Sequence, residues 1–196
     1  MDPRHARVHR TTKETDIAVE LGLDGPPKAE VATGIGFLDH MFDLFAHHGG
    51  FALTVKATGD LGVDGHHTVE DIGLALGQAL REALGEKRGI ARFGSAVVPM
   101  DEALALVAVD LSGRPYLAYD LDLSGVRIGE FDADLASHLF QSLVNQAGCT
   151  LHVRLLSGSD PHHIVEAVFK GVARALAKAV AREGDPDAVP STKGTL

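Results

Sequence analysis

Two copies of one short pattern carry the chemistry of this chain: His66-His67-Thr68-Val69-Glu70 and His162-His163-Ile164-Val165-Glu166. On a helix, positions three and four apart share a side, so either imidazole of a pair can converge with its glutamate, while adjacent imidazoles diverge by about 100°. One motif can therefore serve two metal ions. Imidazole nitrogen combined with carboxylate oxygen suits manganese, iron or zinc better than calcium, which prefers oxygen alone. His40 and His138 occupy matching places in a second expected helix of each copy and add two donors. The expected ligand set is His40, His66, His67, Glu70, His138, His162, His163 and Glu166, enough for two similar four-donor sites with positions open to water or substrate. A single His-His at a helix start is ordinarily a solvated pair. Its recurrence with the same glutamate spacing favours ligation.

Other residues carry weaker signals. Arg92 and Arg114 fall at strand ends, and an arginine fork suits a phosphate because it can bond bidentately. The stretch 190–194 offers Ser191, Thr192 and Lys193 beside backbone donors and could close on the same anion. Each of these alone is ordinary surface. His47 and His48 end a helix, where a cation meets the negative dipole end, and divide between substrate contact and capping. His5, His9 and His152 read as surface or strand residues.

The elements that must hold these groups repeat as well. Residues 11–23 alternate as a half-buried strand, with Ile17, Val19, Leu21 and Leu23 on one face. A short strand near 29–33 precedes a helix marked by Phe37, Met41, Leu44 and Phe45, which Gly49-Gly50 stops. A strand over 51–57 leads to a long helix whose apolar face is Val69, Ile72, Leu76, Leu80 and Leu84. The second half shows strands near 90–98, 104–111 and 116–123, a helix over 132–146, a strand over 149–156 and a helix over 163–181. His40-Met41-Phe42 returns as His138-Leu139-Phe140, and Leu53-Thr54-Val55 as Leu151-His152-Val153. The expected architecture is α+β: an internal duplication of two halves, each a four-stranded sheet, expected to be antiparallel, with two helices on one face. The halves span 1–89 and 90–183, followed by a phosphate-binding tail over 184–196.

Composition narrows the function. The 196 residues include 27 acidic and 18 basic ones, a formal charge of -9 that repels a nucleic-acid backbone. No apolar run reaches the length of a membrane span, and the first residues lack a secretory signal, so a cytoplasmic protein is expected. The single Cys149 sits in an apolar stretch and reads as a buried, reduced thiol.

Six stretches together resemble the imidazoleglycerol-phosphate dehydratase family: GIGFLDHM over 34–41, HHTVED over 66–71, PMDE over 99–102, DLSGRP over 110–115, HHIVEA over 162–167 and PSTKG over 190–194. The likeness covers nearly the whole chain in the right order, and only the loop 158–161 looks less typical. The resemblance implies a duplicated fold like the second domain of ribosomal protein S5, two Mn2+ per active site, sites shared between subunits and a homo-oligomer of twenty-four copies. It implies loss of water from imidazole glycerol phosphate in histidine biosynthesis. It points to Glu14 as general acid/base, working with His40, Glu70, His138 and Glu166, and to Glu14, His48, Arg92, Arg114, Ser191 and Lys193 as substrate contacts. The proton to be removed lies beside a hydroxyl, not a carbonyl, so the substrate's imidazole is the natural electron sink, and metals on the ring give the twin ligand sets a purpose. A two-metal phosphatase is the competing expectation. A metal store without turnover is a third.

Overall fold

The computed structural model describes residues 3–196; Met1 and Asp2, where the expected first half begins, lie outside the described residues. Strands β1 (His5–Thr11), β2 (Thr15–Gly22) and β3 (Lys28–Ala32) lead to helix α1 (Gly36–Gly49), strand β4 (Ala52–Gly59) and helix α2 (His66–Leu84). The series then repeats as β5 (Phe93–Met100), β6 (Ala103–Asp110) and β7 (Tyr116–Asp120), α3 (Leu135–Ala147), β10 (Thr150–Ser157) and α4 (Pro161–Val180). A small hairpin, β8 (Arg127–Ile128) with β9 (Phe131–Asp132), is inserted before α3.

The sheets have equivalent orders, β1-β2-β4-β3 and β5-β6-β10-β7. They are mixed, which corrects the antiparallel expectation: β3 runs parallel to β4, and β7 to β10. The cause is the intervening helix. A strand, helix and strand in series bring the chain back in its starting direction, whereas hairpins reverse it. A second correction concerns the start, where residues 11–23 do not form one strand. Two strands meet in a hairpin, His5 pairing with Gly22 and Thr11 with Asp16. Only Ala6 and Val8 of β1 are buried, too few apolar positions to announce a strand.

Helices α1 and α2 cover the first sheet, and α3 and α4 the second, with α1 packed on α4 and α2 on α3. The four helices thus lie between the two sheets, and one continuous hydrophobic cluster joins both halves. Phe42 of α1, Phe169 of α4 and Phe140 of α3 meet at its centre, with ring centroids 6.1 and 5.0 Å apart; burying each ring is worth about 1.5–3 kcal/mol. Helices α2 and α3 approach closely because α2 carries glycine at the contact. A Cβ on Gly73 would stand 2.5 Å from the Leu139 carbonyl oxygen and 2.8 Å from Ser142 Cβ. This cross-half pairing decides which ligands meet.

Candidate active site

The His pair opens its helix in both halves, and an aspartate two residues ahead of it shapes each start. Asp160 caps α4 by accepting from the His162 and His163 backbone N–H groups (2.8 and 3.4 Å), with Pro161 in the first turn. Asp64 accepts from the His66 N–H at 2.8 Å ahead of α2. The first turns of α2 and α4 are thereby fixed, and with them the directions of four imidazoles.

Because α1 lies against α4, His40 of the first half meets the glutamate motif of the second. Its Nε2 is 3.6 Å from Glu166 Oε2, and His162 Nε2 is 3.2 Å from the same oxygen. Donor atoms of His40, His162 and Glu166 all fall within 4.8 Å of one another. Phe37 braces His162, its ring 5.1 Å away edge-on. The opposite exchange occurs where α2 meets α3: the rings of His66 and His138 lie 4.8 Å apart, with Glu70 exposed one turn along α2. The candidate ligands therefore meet across the halves, His40 joining the motif of the second copy and His138 meeting His66 of the first, but among the described residues only the His40–His162–Glu166 group brings three donor atoms within 4.8 Å.

His67 and His163 stand outside these trios and are held by carboxylates. His67 Nδ1 lies 3.0 Å from Asp60 Oδ2 and 4.0 Å from Glu14 Oε2. His163 Nδ1 lies 2.7 Å from Glu102 Oε2. A carboxylate can only accept, so in each case Nδ1 carries the proton and Nε2 is left with a lone pair, the usual preparation of a metal-binding imidazole. These carboxylates raise both pKa values, Asp60 chiefly for His67 and Glu102 for His163. Glu102 is held down to about 2 by the backbone N–H of Asp160, then by His163 and the N–H of Ser159. Glu14 and Glu102 sit in corresponding hairpin turns, β1–β2 and β5–β6.

Glu166 is buried, and burial alone would raise its pKa, but Lys170 and then His162 and His40 outweigh this and lower it. Lys170 Nζ stands 2.6 Å from Glu166 Oε1. In the sequence the one signal for Lys170 is its place four residues after Glu166, the spacing of a helical ion pair. Glu102 lies inside the PMDE stretch with no spacing that ties it to His163, and no spacing ties Asp60 to His67. Burial, followed by the charges of Lys170, His47 and Arg174, lowers the His48 pKa.

The expected phosphate residues gather elsewhere. Arg92 donates through Nε and Nη2 to Asp110 (2.7 and 3.1 Å) and through Nη1 to the Pro190 carbonyl at 2.9 Å. Its fork is committed to holding the tail that carries Ser191 and Lys193, and it does so from a left-handed backbone (φ 69°). Arg114 is more open, 68% exposed at the side chain and 4.0 Å from Asp110. The Ser191 hydroxyl accepts from the Lys193 N–H at 3.2 Å, and a Cβ on Gly113 would lie 3.0 Å from Leu196, so the tail closes over the 112–114 turn. The Arg92 N–H donates to the Ala179 carbonyl near the end of α4. Glu166 lies near the other end of that helix, roughly 20 Å away at 1.5 Å per residue. His5 and His9 lie on β1 beside Glu20 and Asp16, His152 lies near Tyr116 on the second sheet, and Cys149 is a buried free thiol whose pKa burial pushes up to about 12.

Residues 33–176 match the family model for imidazoleglycerol-phosphate dehydratase. The imidazoleglycerol-phosphate dehydratase of Desulforamulus reducens is 54% identical over 193 residues, 98% of each chain. That of Geobacter sulfurreducens is 55% identical, over 98% of this chain and 99% of the relative. Among solved structures, the Pyrococcus furiosus enzyme superposes with a TM-score of 0.83 at 44% identity, covering 96% of this chain and 100% of that one. The Staphylococcus aureus enzyme gives 0.82 at 39%, covering 91% and 99%.

Proposed function

The chain belongs to the imidazoleglycerol-phosphate dehydratase family and carries out its reaction, the dehydration of imidazole glycerol phosphate in histidine biosynthesis; we propose that it does so at sites built by more than one copy of the chain around two divalent transition ions, Mn2+ being the expected metal. The observation that carries this reading is the separation of the two functional ends. The trio His40, His162 and Glu166 and the clamp of Arg92, Arg114 and the tail sit at opposite ends of α4. A three-carbon phosphate ester bearing one small ring is far too short to reach both. Copies must share it.

The donor set fits such ions: imidazole nitrogens with one carboxylate per trio, and beside them His67 and His163, whose Nδ1 atoms are anchored on Asp60 and Glu102. When bound, the ions supply positive charge that turns the substrate's imidazole into an electron sink. His40, His162 and Glu166 hold one ion and His66, Glu70 and His138 the other, while His67 and His163, outside both trios of their own chain, complete sites formed with neighbouring copies. Glu14, 4.0 Å from His67, moves the proton as general acid/base. Arg92, Arg114, Ser191 and Lys193 bind the phosphate, Arg92 also holding the tail in place, and His48, whose pKa burial and nearby cations lower, contacts the substrate chain.

An exposed apolar face supports assembly of copies. Phe93, Val97, Tyr116 and Leu156 are each more than half exposed on the outer side of the second sheet, where an isolated chain would leave them in water. The family likeness suggests a closed shell of twenty-four copies in the cytoplasm. Among the described residues, no helix is long and apolar enough to cross a membrane. Chelator-stripped protein should lose turnover of imidazole glycerol phosphate and regain it with Mn2+, without release of inorganic phosphate. Full turnover after stripping would refute the metal reading, and phosphate release would revive the phosphatase.

A further inference from the structure

The duplicated motifs are alike in their donors and unlike in their counter-charges. Four residues after Glu166 stands Lys170, its ammonium 2.6 Å from Oε1 and only 16% exposed at the side chain. Four residues after Glu70 stands Leu74, and among the described residues Glu70 forms no ion pair. Arg174 and His48 lie on the Lys170 side, close enough for Arg174 and Lys170 both to depress the His48 pKa. His66 and His138 of the other trio border a cavity of about 660 Å³ whose wall includes Asp64, Glu130, Asp132 and Asp134 against the single cation Arg127. Asp134 Oδ2 lies 3.8 Å from His138 Nε2. One trio is thus neutralised by a built-in cation, and the other keeps its full negative charge among further carboxylates.

Resting on the two-ion reading above, we propose that the two metal sites are unequal by design of their surroundings: the His66–Glu70–His138 group takes the first ion tightly, and Lys170 keeps the His40–His162–Glu166 group as the weaker, second site. Lys170 has two opposed effects. It orients the Glu166 carboxylate, and such outer partners are worth about ten- to a hundredfold in metal affinity. It also repels a doubly charged ion held one carboxylate away. In this half-buried setting that repulsion is on the order of a hundred- to a thousandfold. Repulsion wins. The Lys170–Glu166 ion pair thus balances that site with an ammonium, and binding an ion there requires the balance to be disturbed. A site loaded last is the one whose occupancy can follow the metal supply.

The test is titration of the chelator-stripped full oligomer with Mn2+, with free ion read by its electron paramagnetic resonance signal. Wild-type protein should bind two ions per chain in two steps separated by at least about tenfold. Lys170→Met should tighten the weaker step by about tenfold or more and leave the tight one in place, and Leu74→Lys should weaken the tight step. Should Lys170→Met fail to fold, Leu74→Lys decides alone: an unmoved tight step overturns the inference. Two equal steps in the wild type, or weakening of the second step by Lys170→Met, also overturn it while leaving the two-ion reading intact. Absence of any Mn2+ binding removes that reading itself, and the inference with it.

Discussion

At the first turn of α4, the second imidazole is gripped by Glu102, a carboxylate that the backbone N–H groups of Ser159 and Asp160 also hold. At the first turn of α2, the matching imidazole is gripped by Asp60 at the end of β4, and Glu14, in the turn corresponding to that of Glu102, only approaches it. Duplication gave both halves the same donors. Divergence then acted on what surrounds them, leaving one hairpin carboxylate as a brace and the other, the one proposed for proton transfer, 56% exposed. Division of labour in a duplicated fold is thus written in hydrogen-bond partners rather than in ligand identity.

The comparison is broken most sharply at the two glutamates. Glu14→Gln should cut turnover by roughly two to four orders of magnitude, the usual loss for a general acid/base, with bound metal unchanged. Glu102→Gln should instead lower metal affinity by about ten- to a hundredfold, as the loss of an outer-shell partner does. Turnover alongside metal analysis separates the two, and identical behaviour would make the turns equivalent.

A smaller effect is expected at the helix contacts. Gly73→Ala drives a Cβ into the α3 backbone at Leu139 and should cost about 1–3 kcal/mol, read as a lower melting temperature. Gly171→Ala, in α4, meets the Val107 side chain instead, at 2.7 Å from Cγ2. A side chain yields more readily than a backbone carbonyl, so the loss should be smaller. Equal losses would mean that α2 and α4 are packed alike.

The smallest effect is acid sensitivity. Glu102 has its pKa lowered from 4.5 to about 2. Its stabilisation is therefore complete above the unfolded value and is lost as pH falls from there towards the folded one. Wild-type denaturation midpoints should fall over that window, and Glu102→Gln should flatten the decline. An unchanged slope in the variant would show that the brace adds nothing to folding.

Much of this was legible from residue order. The repeat exposed the eight candidate ligands, and the 3.6-residue period exposed the four helices, because apolar faces and donor spacing are local properties. Strand β1 was not legible, with Ala6 and Val8 alone facing inwards. Parallel pairing of β3 with β4 was not legible from strand count alone, because it depends on the return path through α1. Least legible was the exchange of His40 and His138 between halves. It depends on α1 meeting α4 and α2 meeting α3, a contact between distant segments that glycines such as Gly73 permit but do not announce. The contacts of the Arg92 fork with Asp110 and the Pro190 carbonyl were not legible either, a partnership set by tertiary proximity.

Sharing of each site between copies is tested most directly by mixing two disabled chains. His40→Ala removes a donor at one end of α4, and Arg114→Ala removes the open fork of the clamp at the other. Each variant assembled alone should be inactive, and subunits dissociated and reassembled together should regain turnover, because some sites then receive an intact metal end from one chain and an intact clamp from another. A mixed assembly as inactive as its parents would contradict the account.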